Sequence, residues 1–350
     1  MSFDINRLVR ENIKRLKPYS SARSEFSGTA NVYLDANENS FGSPLVKWYN
    51  RYPDPLQWEL KKKISAVKNV APENILLGNG SDECIDLLIR GFCNPQVDNI
   101  LICPPTYGMY EVNAHINDVE VKEVHLLLNY QLNLEGIEEA IDENTKLVFL
   151  CSPNNPTGNS LEREDIEIVL NNFEGLVILD EAYINYSRHR SFIADLKDYP
   201  NLVIMQTFSK AWGLAALRLG MLFASTEVVD ILNKIKPPYN INGATQELAT
   251  KALDKLEDVN TMIKETVKER EMLVKELGQL PIVEKVYPSD ANFLLVKMTD
   301  ANAIYEYLKQ KGVIVRNRSN VILCENSLRI TVGTEKENKE LIKLLTQYSQ

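Results

Sequence analysis

The chain has 350 residues, 44% of them hydrophobic and 25% charged, with a formal net charge of −9. That length gives roughly two domains with ample core, in the composition of an ordinary soluble globular protein. The acidic balance excludes the concentrated basic patch of a nucleic-acid surface, and no apolar run approaches the ~18 residues of a membrane span. Five scattered cysteines without CxxC spacing read as reduced thiols in a cytoplasmic protein. Three histidines without HxxxH or HExxH spacing leave no expected metal site.

In chain order, the first expected element is a helix over 4–17, with apolar Ile5, Leu8, Val9, Ile13 and Leu16 ending before Pro18. An extended NVYLDANENS follows, then a helix from about Leu56 to Val67. Beyond it the pattern alternates. A helix over 82–92 precedes the apolar run DNILICPP, and helical TYGMYEVNAHI precedes VEVKEV. The runs KLVFLCSP, LVILDEAY, NLVIMQTF and RLGMLFAS then read as strands separated by helices or loops. Short apolar runs alternating with helices indicate βαβ units and a largely parallel sheet, here over residues 31–245. A long helix from about Ala244 to Leu277 leads into a smaller α+β region. Its expected strands are VEKV, NFLLVKM, VIVRN and NSLRITVG, its helices ANAIYEYLKQ and the C-terminal stretch. Residues 1–30 and 246–350 are assigned to this second domain.

Four segments carry chemistry. In TFSKAWGLAALRLG, Lys210 stands just past a buried run, with Thr207, Ser209 and Arg218 nearby. A Ser-Lys pair alone reads as a surface turn with a solvated lysine. Two hydroxyls and a guanidinium beside it, however, are suitable donors for a phosphate dianion. GNGSDE places the amides of Ser81, Asp82 and Glu83 at a helix N-terminus, where free N–H groups and the helix dipole favour anions. Taken alone it is also a common capping turn. Asp180 ends a fully apolar strand in LVILDEAY, a costly place for a carboxylate unless it meets a cation such as a protonated pyridine nitrogen. Tyr183 follows three residues later, and Asn155 sits in a turn after KLVFLCSP. Either could donate to a phenolic oxygen, and Asn155 equally could serve only its turn. Together these residues supply a covalent lysine, a ring-nitrogen partner, phenolic-oxygen partners and a phosphate cup.

The set GNGSDE, PPTYGMY, SPNNPTG, LDEAY, SKAWGLAALRLG and LRITVG resembles the fold-type I aminotransferases over nearly the whole chain. LKPYSSAR, LDANEN, RYPDP and LRITVGT favour the histidinol-phosphate aminotransferase family within them. Ser40 stands where that family usually carries proline.

The resemblance implies an α/β fold-type I enzyme, with a large domain built on a mostly parallel sheet and a smaller α+β domain. It implies pyridoxal 5'-phosphate bound to Lys210 as an internal aldimine, with Asp180 on the pyridine nitrogen and Asn155 and Tyr183 on the phenolic oxygen. Tyr107 would lie against the ring, and Ser81, Asp82, Glu83, Thr207, Ser209 and Arg218 would hold the phosphate. Tyr52 would reach that phosphate from the neighbouring subunit of a homodimer. Arg329 would grip the anionic group of the substrate with Arg316 assisting, while Tyr19 and Glu38 help cover it. The implied reaction interconverts histidinol phosphate and imidazole acetol phosphate, with glutamate and 2-oxoglutarate as the other pair. Aromatic-amino-acid aminotransferases and threonine-phosphate decarboxylases share the same motifs. A cofactor-sensing regulator would need an appended DNA-binding segment, for which the N-terminal stretch is too short.

Overall fold

The computed structural model describes residues 3–19, 31–45 and 49–349; residues 20–23 of the LKPYSSAR motif lie outside the described residues. Seven strands form the larger sheet: β1 (Ile75–Asn79), β2 (Asn99–Ile102), β3 (Glu120–Glu123), β4 (Thr145–Cys151), β5 (Leu176–Asp180), β6 (Leu202–Thr207) and β7 (Leu219–Phe223). Their order is β1-β7-β6-β5-β4-β2-β3. Strands β3, β2, β4, β5 and β6 run parallel, whereas β7 is antiparallel to both of its neighbours, β6 and β1.

The central strands read as continuous apolar runs because both faces of the sheet are covered. On one face Leu77, Val148, Leu150, Val177, Leu179, Ile204 and Met221 share a core with Leu60, Ile64 and Ile166 from flanking helices. On the other, Leu76, Leu147, Phe149, Ile178, Val203, Met205 and Leu222 meet Ile85, Leu88, Phe92, Val228 and Leu232. The period-two alternation of strand side chains assigns each residue to its face.

The second sheet holds β8 (Val283–Val286), β9 (Phe293–Met298), β10 (Arg316–Asn317) and β11 (Ser327–Thr331), antiparallel in the order β10-β11-β9-β8. Its core joins Leu294, Val296, Met298, Leu328 and Ile330 to Leu273, Leu277, Ile304, Leu308, Leu341 and Leu345 of the helices Leu256–Leu277, Ala301–Gln310 and Glu335–Tyr348. A mostly parallel sheet flanked by helices plus a small antiparallel sheet is the expected fold class.

Some elements differ from expectation. The helix expected over 4–17 is two, Ile5–Leu8 and Glu11–Arg15. The chain is extended at Val9 and Arg10, where the Arg10 amide donates to Gly91 O and its guanidinium to Arg90 O. Leu8, Val9 and Ile13 thereby enter the core beside Phe92 and Leu232, so the segment from Phe3 to Ile13 packs on the large sheet's helices. The helix expected from Ala244 to Leu277 breaks at Asp254 and Lys255 into Gly243–Leu253 and Leu256–Leu277. There both Asp254 carboxylate oxygens lie 2.7 Å from Lys63 Nζ on the helix Trp58–Lys68. Strand β1 is an addition, and VIVRN contributes only the two residues of β10 to a ladder.

Candidate active site

In a parallel sheet the strand C-termini and the loops beyond them gather functional side chains at one edge. Here that edge carries Asn155 after β4, Asp180 at the end of β5, and Thr207, Ser209 and Lys210 at and after β6. The Gly80–Ser81 turn follows β1, and Arg218 precedes the reversed β7. They surround a cavity of about 740 Å³. Of the residues singled out in the sequence, Ser81, Asp82, Tyr107, Asn155, Asp180, Tyr183, Thr207, Ser209, Lys210, Arg218, Arg316 and Arg329 all line it.

The anion end rests on two glycines. Gly80 (φ +75°) caps the helix Ser81–Phe92 and supplies no side-chain acceptor, so the first amides of the helix stay open to an anion. A Cβ on Gly80 would lie 2.6 Å from Arg218 Nη2, and one on Gly220 would lie 2.5 Å from the Gly80 carbonyl carbon. The Gly80 amide donates to Arg218 O (2.7 Å), which ties the turn to the entry of β7. Arg218 Nη2 stands 3.4 Å from Asp82 Oδ2, and the Tyr107 hydroxyl donates to Asp82 Oδ1 (3.1 Å). Thr207 Oγ accepts from the Ser209 amide (3.1 Å), fixing the turn that presents Lys210.

Asp180 is buried and forms no ion pair among the described residues. Its carboxylate accepts from the Tyr110 hydroxyl (2.7 Å) and the Ala182 amide (3.0 Å). Burial raises its pKa, and these two donors and Lys210 pull it back. Lys210 is lowered by desolvation first, then by the positive charge of Arg329, which favours a neutral amine. Its Nζ lies 5.5 Å from the centre of the Tyr183 ring. Tyr183 is raised by burial and packs edge-on against Phe293 of the small sheet (5.1 Å, 83°). Arg329, also on the small sheet, donates to Asn155 Oδ1. A guanidinium only donates, so the Asn155 amide is oriented with its NH2 as the free donor end.

Four expected residues lie outside the lining. The Glu83 carboxylate accepts from the Asn79 amide and from Asn240 Nδ2 (2.9 Å). That of Glu38 is buried against Arg51 and accepts from the Tyr52 amide (2.7 Å), holding the RYPDP segment instead of facing the cavity. Tyr52 is half exposed and stacks on Tyr239 (4.5 Å), and Tyr19 is exposed.

Two residues are new to the site. Tyr110 is fully buried, stacked on Phe149 and hydrogen-bonded to Asp180. Its signal was the i+3 spacing from Tyr107 on a helix following a strand end. Arg318 lines the cavity beside Arg316 and Arg329. Its signal was the i+2 spacing in VRNRS, which puts both arginines on one face of a strand.

The model of the family described as aminotransferase class I and II matches residues 25–345. The chain belongs to that family. A histidinol-phosphate aminotransferase of Cytophaga hutchinsonii is 53% identical over 348 residues, covering 99% of this chain and 100% of that protein. Among solved structures, the histidinol-phosphate aminotransferase from Clostridium acetobutylicum superposes with a TM-score of 0.80 at 27% identity, covering 86% of this chain and 91% of that one. The enzyme of the same name from Sinorhizobium meliloti, solved with pyridoxal-5'-phosphate, shares the fold (TM-score 0.78, 23% identity, 90% and 89% coverage).

Proposed function

We propose that this chain is an aminotransferase that interconverts histidinol phosphate and imidazole acetol phosphate, with glutamate and 2-oxoglutarate as the second pair. The observation that carries the reading is the convergence, around one cavity, of a neutral-leaning Lys210, a buried Asp180 without a cation and an arginine-bearing face of β10 and β11. The 53%-identical relative of that name supports the substrate.

The residues present fit pyridoxal 5'-phosphate. Asp180 is a buried carboxylate lacking the partner that a protonated pyridine nitrogen would be, and the glycine-capped helix at Ser81 leaves an anion cradle. Ser81, Asp82, Thr207, Ser209 and Arg218 would hold the phosphate, Asn155 and Tyr183 the phenolic oxygen, and Tyr107 the ring face. When bound, the cofactor supplies an electron sink for negative charge at the substrate Cα. Lys210, whose pKa is lowered by desolvation and by Arg329, would take the proton from the substrate Cα and return it at the far end of the conjugated system on the same face. Arg329 orients the substrate through its anionic group, and its bond to Asn155 couples that grip to the Asn155 NH2 donor.

The functional unit of this reading is a homodimer in which Tyr52 serves the neighbouring cavity. Tyr52 does not line the cavity of its own chain, and Leu34 (82% exposed) and Phe41 (99%) leave the 31–45 segment uncovered. The division of this reading is a large domain over 31–245 and a small one over 246–350; the N-terminal segment, assigned above to the small domain, packs through Phe3, Ile5, Leu8, Val9 and Ile13 on the helices of the large sheet. No described helix is long and apolar enough to cross a membrane and the five cysteines are free thiols, which fits a cytoplasmic enzyme.

The test is a comparison on purified protein with added cofactor. Amine transfer from histidinol phosphate and phenylalanine is measured alongside carbon dioxide release from threonine phosphate. Histidinol phosphate is expected to be used most efficiently, and a higher kcat/KM for phenylalanine overturns the assignment.

A further inference from the structure

Strands β10 and β11 place three guanidinium groups on one surface. Arg316 is the direct partner of Arg329 across the ladder, and Arg318, two residues on, hydrogen-bonds through its amide to Ser327 O (2.9 Å). Residues directly opposite and residues two apart share a face, so Arg316, Arg318 and Arg329 project together, and all three line the cavity. None forms an ion pair with a described carboxylate. Among the described residues, the one hydrogen bond that engages the Arg329 guanidinium goes to the neutral amide of Asn155, the buried Nε of Arg318 has no acceptor, and the neighbouring Ser319 Oγ has no partner. Each guanidinium is unfavourable to the next: Arg329 is lowered by burial and then by Arg318, and Arg318 by burial and then by Arg316. Two partly buried guanidiniums, Arg318 and Arg329, beside the exposed Arg316 are costly to hold together until an anion enters. A carboxylate offsets one of those charges; a phosphate monoester dianion offsets nearly two and presents three acceptor oxygens.

We propose that Arg318 is a specificity-determining residue, the donor that makes this face of the cavity prefer a dianionic phosphate over a singly charged carboxylate. The proposal rests on the phosphorylated-substrate reading above and gives it a residue that sequence reasoning did not assign. Arg329 alone would accept either anion. Arg318 adds the second charge and an Nε–H that a planar carboxylate already held by Arg329 leaves unused.

The experiment uses the cofactor-loaded protein, whose cofactor phosphate occupies the Ser81 cup, and titrates it calorimetrically with sulfate as the dianion probe and acetate as the monoanion. Arg318→Gln is expected to weaken sulfate about 10- to 100-fold, the range for a lost charge-assisted hydrogen bond, while acetate changes by about two-fold or less. Arg318→Lys, which keeps the charge, should fall between wild type and the glutamine variant and guards against misfolding of the latter. In turnover, kcat/KM for histidinol phosphate should fall at least ten-fold more than that for glutamate. Equal weakening of both anions, or unchanged sulfate affinity in a folded variant, overturns the proposal. The two readings fail separately. A wild-type protein that does not turn over histidinol phosphate refutes the substrate, whereas sulfate insensitivity to Arg318→Gln refutes only the role of Arg318.

Discussion

Gly220→Ala adds a single methyl group in the middle of the anion end. The added Cβ would lie 2.5 Å from the Gly80 carbonyl carbon, 2.6 Å from the Ser81 nitrogen and 2.7 Å from Gly80 O, all of them backbone atoms. Relaxed carbon contacts are about 3.5 to 4.0 Å, so the turn must retreat by about 1 Å. It is not free to do so. The Gly80 amide is held at 2.7 Å by Arg218 O, and β1 is paired to β7 with Gly78 opposite Gly220. Overpacking of this kind costs about 1–3 kcal/mol. Where the strain is relieved by swinging the Ser81 amides off the phosphate, the loss appears as about a 5- to 150-fold weaker cofactor affinity. The assay is equilibrium titration of apoprotein with pyridoxal phosphate, paired with urea unfolding. Gly175→Ala is the control. Its Cβ would also meet backbone, Lys146 O at 2.5 Å, but at the start of β5, the opposite end of that strand from Asp180. It should lower stability and leave cofactor affinity within about two-fold, since distant sites act independently. Equal cofactor affinity in Gly220→Ala and wild type, or equal losses in both variants, would refute the assignment of the Gly80–Ser81 turn to the phosphate.

Three further outcomes are expected. Because desolvation and Arg329 lower the Lys210 pKa, its amine is neutral at lower pH than a surface lysine; in apoprotein it should react with an amine-specific acylating reagent at a correspondingly lower pH, and a labelling profile matching that of the surface lysines counts against this. Tyr110→Phe removes a donor from the ionised form of Asp180, so its pKa rises further and the acid limb of kcat shifts to higher pH, with kcat near neutrality down about 10-fold. A pH profile superimposable on wild type would remove Tyr110 from this role. Mixing inactive Tyr52→Ala and Lys210→Ala subunits should restore part of the activity through hybrid dimers, and no recovery despite demonstrated subunit exchange would exclude a shared site.

The residues legible in the sequence are those at the ends of apolar runs. Lys210, Asp180 and Asn155 each interrupt or follow a buried strand, and burial makes a polar residue at such a place conspicuous. Arg218 was found because it lies in the same loop as Lys210. Tyr110 escaped because a buried aromatic on a helix reads as core until its hydroxyl is seen to meet Asp180, 70 residues away. Arg318 escaped because it stands one residue past the expected strand VIVRN, and its place opposite Ser327 is fixed by a ladder only two residues long in β10. The carboxylates of Glu83 and Glu38 are held by Asn240 and by Arg51, partners that no local pattern announces. The break at Val9 and Arg10 likewise depends on the Gly91 carbonyl. Fold class follows from local periodicity; what escapes are pairings fixed only by distant chain.

The reversed strand β7 also orders events in time. Because β7 lies between β6 and β1, the Arg218 and Asp82 sides of the anion cradle are 136 residues apart in sequence and meet only when this antiparallel pairing closes. Such long-range closure comes late, after the locally connected βαβ units have formed. A nascent chain stopped before β7 would carry β1 to β6, Lys210 and Arg218, yet lack the strand whose pairing with β1 brings Arg218 to the Gly80–Ser81 turn. Full cofactor capture therefore reports that this long-range pairing of the large sheet has closed.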